Sequence, residues 1–426
     1  MAKITAAHFK GCKQYTIVCG NVFVFTIRGQ LFLVAKIFDM YDEFFTPVEQ
    51  SEVISASPDP GKWESKVVFN DVSVTDLGDC QLAIIGVVEE RGATQNIGTA
   101  NAPDEIRKQL YQLALSHYDL KLMDLGNIVA GARLRDTYVG LSKVVNELLR
   151  AQVVPIIIGG SQDIAYGQFG AYLDLGKMIN VACVDARFDL EPFEGESFNN
   201  QSVLGKIITH EPNIIFNLSL IGYQTHFCRP FATETFDKLN YDAYRLGLVR
   251  GDASEMEPVL RNVNMFTIDC SAIRFADSPG SAYATPNGLN GEDACQLSYY
   301  AGLSNTVSSF GLYEMNPFFD ERAQSAQLAA QLIWYFADGF YKRKADLPAE
   351  GDANYLKYII HFKENGYEMV FWKSKRTDRW WMEVMPAQTG KIKPKPVLLP
   401  CSYKDYQLAN REEIPERWLK AVGKLG

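Results

Sequence analysis

The sequence predicts an α/β protein with a mainly parallel sheet covered by helices on both faces, followed by a small α+β appendage. Strand-like runs alternate with helix-length segments from Cys80 to Tyr341, and such alternation feeds parallel strands through crossover helices. The stretch Val153–Glu191 shows this unit most clearly. Its two apolar runs, Val153–Ile158 and Ile179–Val184, are rich in β-branched residues and are separated by a helix-length segment. From residue 342 the pattern changes to alternating runs joined by Glu364-Asn365-Gly366, and Asn-Gly favours a type I′ hairpin turn.

Residues 1–39 stand apart. Lys3, Lys10 and Lys13 precede the apolar run Tyr15–Ile27, which has the outline of a signal peptide. Arg28 and Lys36 interrupt the hydrophobicity, so no segment reaches the roughly 18–20 apolar residues of a membrane span. A small-residue cleavage site is also missing after Ile27, and Met40 opens a sensible soluble start. Residues 1–39 are therefore expected to be a non-native or disordered extension.

The body is expected to span 40–341 and the appendage 342–426. The body begins irregularly, punctuated by Pro47, Pro58, Pro60 and Gly61. Cys80–Glu89 reads as the first buried strand. A helix opens near Pro103, where proline suits the first turn and Asp104 and Glu105 complement the helix dipole. Leu120–Ile128 is a second strand. Asp136–Gln152 is an amphipathic helix with Val139, Val144, Val145, Leu148 and Leu149 on its apolar face. Beyond the Val153–Glu191 unit, Asn213–Gly222 and Val263–Cys270 are strands, with Glu234–Leu246 helical between them. Asn290-Gly291 is a turn signal, Phe310–Met315 the last strand of the body and Asp320–Tyr341 a long helix. The appendage offers strands Tyr355–Lys363, Tyr367–Lys375 and Arg379–Met385, a proline-rich linker Lys391–Pro400 and a helix near Pro415–Lys424.

Composition limits the function. A hydrophobic content of 47% with 12% aromatics supports a packed core. The net charge of −9 divides into +4 for residues 1–39, −19 for 40–341 and +6 for 342–426. The acidic body argues against broad nucleic-acid binding. In the tail, Trp372, Trp380, Trp381 and Trp418 stand beside many Lys and Arg. They could stack on single-stranded nucleic acid, but Glu364, Glu368, Asp378 and Glu383 break up the basic face, so packing of these rings on the main body is preferred. The eight cysteines include no C-x-x-C pair, and Cys183 and Cys270 sit inside strand patterns; reduced core thiols and a cytoplasmic protein are expected.

The candidate chemistry lies at strand ends, where ligands bind in a parallel sheet. Gly159-Gly160-Ser161-Gln162-Asp163 and Asp185-Ala186-Arg187-Phe188-Asp189 follow the two strands of the Val153–Glu191 unit. With Ile85–Val87, the loop Asn96–Arg107, Asp124–Asn127, the run Thr267–Gly280, the rim loop Pro279–Leu289 and Tyr313–Pro317, they form an ordered set over some 260 residues. On these motifs the chain resembles the ureohydrolase superfamily of arginase, agmatinase and formimidoylglutamase. The resemblance implies a three-layer α/β/α sandwich, a homo-oligomer of trimers or hexamers, and hydrolysis of guanidino or formimino groups with two manganese ions. Two divalent cations lower the pKa of a shared water and supply hydroxide near neutral pH.

Carried over residue by residue, the resemblance places metal-ligating aspartates at Asp185, Asp189 and Asp269, and the substrate-orienting glutamate at Glu314. Ser197 and Asn199 match substrate-loop residues, and Gln201 stands at the proton-shuttling histidine. Three ligands are changed: Gln162 replaces one histidine, Arg187 another and Ser271 an aspartate. His210 and His226 do not fall on ligand positions. A guanidinium cannot ligate a metal but can pair with carboxylates, so an Arg187–aspartate network is expected to replace at least one ion.

Three readings follow. The preferred one is a degraded ureohydrolase, a pseudoenzyme with no metal or one manganese whose pocket takes a guanidino or amino-acid ligand. The second is an active single-metal hydrolase using Gln162 as a fourth ligand. The third is an interaction scaffold that binds through the basic aromatic tail.

Overall fold

The structure is a computed structural model. It describes residues 44–70, 77–192, 198–363, 366–387 and 394–425, and of residues 1–43 only the backbone of an antiparallel set of strands, Ile4–Thr5, Thr16–Val18, Val22–Ile27 and Gln30–Ala35. The expected status of residues 1–39 otherwise lies outside the described residues, as does Glu364-Asn365 of the expected hairpin turn.

Eight parallel strands form the main sheet: β1 (Leu82–Val87), β2 (Leu122–Ile128), β3 (Val154–Ile158), β4 (Ile179–Val184), β5 (Ile215–Tyr223), β6 (Asp242–Arg245), β7 (Met265–Asp269) and β8 (Ser309–Tyr313). Their order is β6-β5-β4-β7-β8-β3-β1-β2, with Phe45–Thr46 and Val68–Phe69 added at the β2 edge. The expected strands are all present, with no end displaced by more than two residues.

The interior strands read as continuous apolar runs because both faces are buried. Side-chain alternation divides them between two cores. Leu82, Ile84, Ile156 and Ile158 face one side, where they pack with α1 (Ala102–Leu110) and two long helices described below. Ala83, Ile85, Val87 and Ile157 face the other, against α2 (Leu134–Arg150) and the helix α3 (Pro230–Lys238). Cys183 and Cys270 are both buried, one in each core.

Several expectations need correction. Val139 is exposed at 45%, and α2 instead buries Tyr138, Leu141, Val144, Val145 and Leu148. Tyr138 and Leu141 lie seven and four residues before Val145 and complete the helical stripe. Glu234–Leu246 is not one helix: α3 ends at Lys238, and β6 follows as a short edge strand whose polar, half-buried residues carry no strong strand signal. Asn290-Gly291 is not a turn. The Asn290 side chain accepts the Asp293 N–H and caps α4 (Gly291–Leu303).

In the appendage, β9 (Tyr355–His361), β10 (Glu368–Ser374), β11 (Trp380–Val384) and β12 (Val397–Cys401) form an antiparallel sheet. The supposed linker thus contains β12, since Pro400 faces a sheet edge where its missing N–H costs nothing. A helix missed in the sequence, Tyr403–Asn410, precedes the terminal one. The tail aromatics pack mostly on one another rather than on the main body: Trp380 and Phe371 share a core with Tyr358, Tyr406 and Trp418, and Trp372 donates to Glu383 at 2.8 Å. Trp372, Trp380 and Trp381 are buried, so these three rings are not themselves free to stack on a partner.

The last helix of the body, α5 (Gln324–Tyr341), crosses α4 at two glycines. A Cβ on Gly302 would strike the Phe336 carbonyl oxygen, and one on Gly339 would strike the Tyr299 carbonyl oxygen. The contact is backbone against backbone, so no side chain can move aside. Gly302→Ala or Gly339→Ala is expected to destabilise the fold by about 1–3 kcal/mol, read as a lower denaturant midpoint; an unchanged midpoint would show that the helices separate freely.

Candidate functional site

The carboxyl ends of the four central strands, β4, β7, β8 and β3, meet at one cleft. Gly159 and Gly160 leave β3 with φ of 86° and 80°, a conformation glycine adopts at little cost. They turn the chain directly into Gln162–Ile164, a single 3₁₀ turn. Asp185 follows β4, Asp269 ends β7 and Glu314 follows β8. The fold thereby brings together four of the residues expected from the sequence.

Carboxylate oxygens of Asp185, Asp189 and Asp269 lie within 4.8 Å of one another, and all three residues are buried. Backbone donors fix one oxygen on two of them: the Arg187 N–H donates to Asp185 at 2.8 Å, and the Ser271 N–H to Asp269 at 2.6 Å. Ser271 therefore supports Asp269 from the position where the resemblance places a ligand. Asp185 Oδ2, Asp189 Oδ2 and both polar atoms of the Gln162 side chain are buried with no hydrogen-bond partner among the described residues. Buried polar atoms are rarely left so, and this group marks a place where a ligand would complete the bonding.

Glu314 sits beside the cluster and is fully engaged. Its Oε1 accepts from the Gln162 N–H at 2.8 Å and from Asn200 at 3.0 Å, and its Oε2 accepts from Asn96 at 2.7 Å. Asn96 also donates to the Glu314 carbonyl and accepts from the Ala282 N–H and Asn316, which ties three loops together. Asn96 and Asn200 were not singled out from the sequence as glutamate partners, although both stand inside quoted loops. The usable signal was the need of any buried Glu314 for donors. Glu314 and Asp189 have left-handed backbone, with φ of 63° and 46°, a strained choice for non-glycine residues that clusters at functional sites.

Burial pushes the Asp185 carboxyl far above its ordinary range, and the charges of Asp189 and Asp269 push it further. Asp189 is raised for the same first reason. Glu314 is raised to about 8 by burial and the Asp269 charge, against the pull of its three donors. Asp269 is raised to about 6 by burial, opposed by Ser271 and more distantly by Arg187.

Arg187 does not behave as expected. Among the described residues it makes no ion pair with the three aspartates. Its guanidinium lies 4.4 Å from the centre of the Phe227 ring and 5.3 Å from that of Tyr283, a cation–π arrangement. The direct Arg187–aspartate network is thus replaced by a charge held at the rim that reaches Asp189 and Asp269 only through space. With Gln201, Cys228 and Arg229 it lines a cleft of about 150 Å³ beside Asp189. The Asn199 side-chain oxygen accepts the Gln201 N–H at 2.9 Å. Ser197 lies outside the described residues. His210 packs against Tyr166 and Phe169, and neither it nor His226 joins the carboxylate group.

A parallel α/β sheet with buried carboxylates grouped beyond its central strands is an arrangement that could hold a hard cation or a cationic ligand at the sheet's carboxyl end. The chain belongs to the arginase family, whose sequence pattern matches residues 80–338. It is 27% identical over 303 residues to a formimidoylglutamase of Clostridium tetani, covering 66% of this chain and 89% of that protein. A formimidoylglutamase of Lysinibacillus sphaericus is 23% identical over 290 residues, covering 63% and 87%. Among solved structures, Trypanosoma cruzi formiminoglutamase with manganese superposes with a TM-score of 0.59 at 20% identity, over 64% of this chain and 97% of that one. Formimidoylglutamase of Bacillus subtilis gives 0.61 at 20%, over 68% and 95%. The fold is therefore arginase-like, with the appendage's small antiparallel sheet added. No helix among the described residues is long and apolar enough to cross a membrane.

The acids of the cleft keep their protons to higher pH when folded than the roughly 3.9–4.3 of unfolded chains. Their contribution to stability is fully present below about pH 4 and is lost as pH rises through about 6 for Asp269 and about 8 for Glu314. Chelator-treated protein should accordingly have a lower denaturant midpoint above pH 8 than near pH 5, with manganese restoring part of the loss on the alkaline side. A midpoint that rises over this window would contradict the charge account.

Proposed function

We propose that the chain is a formimidoylglutamase-like protein that keeps one cation site of an original pair and binds a guanidino or amino-acid ligand with little or no C–N hydrolysis. The observation that carries this is the division of the site. Asp185, Asp189 and Asp269 converge, Asp185 and Asp189 each with an unpartnered oxygen, and the Gln162 amide oxygen is equally unpartnered. That all-oxygen set suits one hard divalent ion such as manganese. The positions that would complete a second ion hold Arg187, whose cation is drawn to aromatic rings, and Ser271, whose backbone serves Asp269. When bound, a single ion would polarise a ligand or water held there. The chain's own residues contribute the carboxylates, the Glu314 acceptor fixed by Asn96 and Asn200, and the Arg187 and Arg229 charges at the mouth.

A second reading, an active single-metal hydrolase, draws support from the unpartnered Gln162 amide, since a structural glutamine would ordinarily be satisfied. Metal analysis combined with ammonia and urea release from a formimino and guanidino panel separates the two. Wild-type protein should bind one manganese per chain and release product barely above background, and Asp269→Asn should abolish the binding. The triple variant Gln162→His, Arg187→His, Ser271→Asp should bind two ions and gain at least about a hundredfold in hydrolysis, on the scale of two positioned catalytic contributions. Two ions in the wild type, or fast turnover with one, would reject the proposal.

A further inference from the structure

The junction between appendage and body contains a hollow unrelated to the aspartate cleft. It lies under the terminal helix α7 (Glu416–Leu425), numbered after α6 (Tyr403–Asn410), against β5, β6 and β12. Its volume is about 110 Å³. Arg417, Lys420 and Lys424 recur at helical spacing along α7 and all line it. The only acid in the lining is Asp242 of β6.

That acid is shared. Lys420 stands 3.4 Å from Asp242 Oδ1 and Lys424 3.9 Å from Asp242 Oδ2, while Lys424 also donates to Asn217 at 2.5 Å. Glu416 reaches Lys420 at 3.1 Å, but from the solvent side, where it is 81% exposed. Arg417 Nε is buried with no hydrogen-bond acceptor among the described residues; the nearest carboxylate, Asp405, is 3.5 Å away and outside the hollow. Burial and the neighbouring Lys420, against the opposing pull of Asp242, hold the Lys424 ammonium below the usual lysine range. Each cation has a carboxylate nearby, but of those acids Asp242 alone lines the hollow, so the buried Arg417 Nε lacks the charge-assisted acceptor that would satisfy it there.

Size and wall chemistry select the anion. An apolar cavity of about 150 Å³ accommodates benzene, so this hollow suits a ligand of about five or six heavy atoms. The remaining walls include Val259, Val397 and Leu399. Asn180, Asn262 and Tyr244 add polar groups to the lining, but against its apolar part the oxygens of a phosphate would be left without partners, whereas an aliphatic chain would be buried favourably. We propose that the hollow binds a short aliphatic monocarboxylate such as butyrate, its carboxylate held by Arg417, Lys420 and Lys424 and its chain packed on the valines and leucine. Because α7 belongs to the appendage while Asp242 and Asn217 belong to the main sheet, the ligand clamps the two parts together.

Calorimetric titration and thermal unfolding of the full chain test this with sodium butyrate, inorganic phosphate and sodium chloride at matched ionic strength. Butyrate should bind saturably and raise Tm, and chloride and phosphate should not. Lys424→Gln should weaken butyrate binding by about tenfold or more, as expected for loss of a desolvated charge contact. Ala421→Leu keeps every charge but fills the hollow from a buried position, and should also abolish binding; circular dichroism confirms that each variant is folded. Equal shifts from all three salts, binding of phosphate in place of butyrate, or wild-type affinity in a folded variant would overturn the assignment. None of these outcomes depends on the aspartate cleft.

Discussion

Three buried carboxylates within one another's reach are the constraint on which the rest of this structure depends. Two like charges about 4 Å apart repel by about 4 kcal/mol at an effective dielectric of about 20, and burial adds to that cost for each. The protein meets part of it with backbone donors, from Arg187 to Asp185 and from Ser271 to Asp269. It leaves Asp185 Oδ2 and Asp189 Oδ2 unmet. A proton, a cation or a cationic ligand has to supply the remainder. The left-handed backbone at Asp189 and Glu314 follows from the same demand, because it turns these side chains in from the strand ends.

The sheet was legible because its signal is redundant. Each interior strand is buried on both faces, so β1, β3, β4 and β8 announce themselves as unbroken apolar runs, and a one-residue error at an end leaves the site unmoved. Glu314 and the three aspartates were legible because residue type, order and strand-end position agreed. Elements whose stability comes from partners rather than from their own pattern were harder to see. The half-buried β6 pairs only with β5, and β12 hides in a proline-rich stretch that looks like a linker. Asn290 fits a turn and a helix cap equally well until α4 is packed against α5. The Asn96 and Asn200 contacts to Glu314 bridge more than a hundred residues of sequence, which no local pattern encodes.

Arg187 shows why identity alone misjudged an interaction. Its residue type allowed either a carboxylate fork or an aromatic face. The fork would have required full desolvation of the guanidinium in the cleft, whereas the rings of Phe227 and Tyr283 accept it at the rim with less desolvation. A cation held there still lowers the Asp189 and Asp269 carboxyls through space. Arg229 at the same mouth is paired with Glu191 at 3.3 Å, so among the described lining residues Arg187 leaves the entrance net positive while the floor is acidic. That polarity suits a ligand carrying its positive group inward and its negative group outward, as an amidino amino acid does.

The appendage is joined to the body mainly by charge. Arg261 of the body donates to the Trp380 carbonyl at 2.7 Å and lies 4.8 Å from the Trp381 ring centre, and Arg379 pairs with Glu257 at 3.0 Å. Lys404 reaches Asp252, and Lys420 and Lys424 share Asp242. Its apolar core is largely its own, with Phe371, Met382 and Trp380 closed off by α6 and α7. A unit with an internal core and a polar, partly unmatched junction can be gripped or released without disturbing the main sheet, since ionic contacts of this kind contribute little individually and depend on what else occupies the space between them. Beneath α7 two lysines share Asp242 and the carboxylate nearest Arg417 stands outside the hollow, which leaves the buried Arg417 Nε open for an anion.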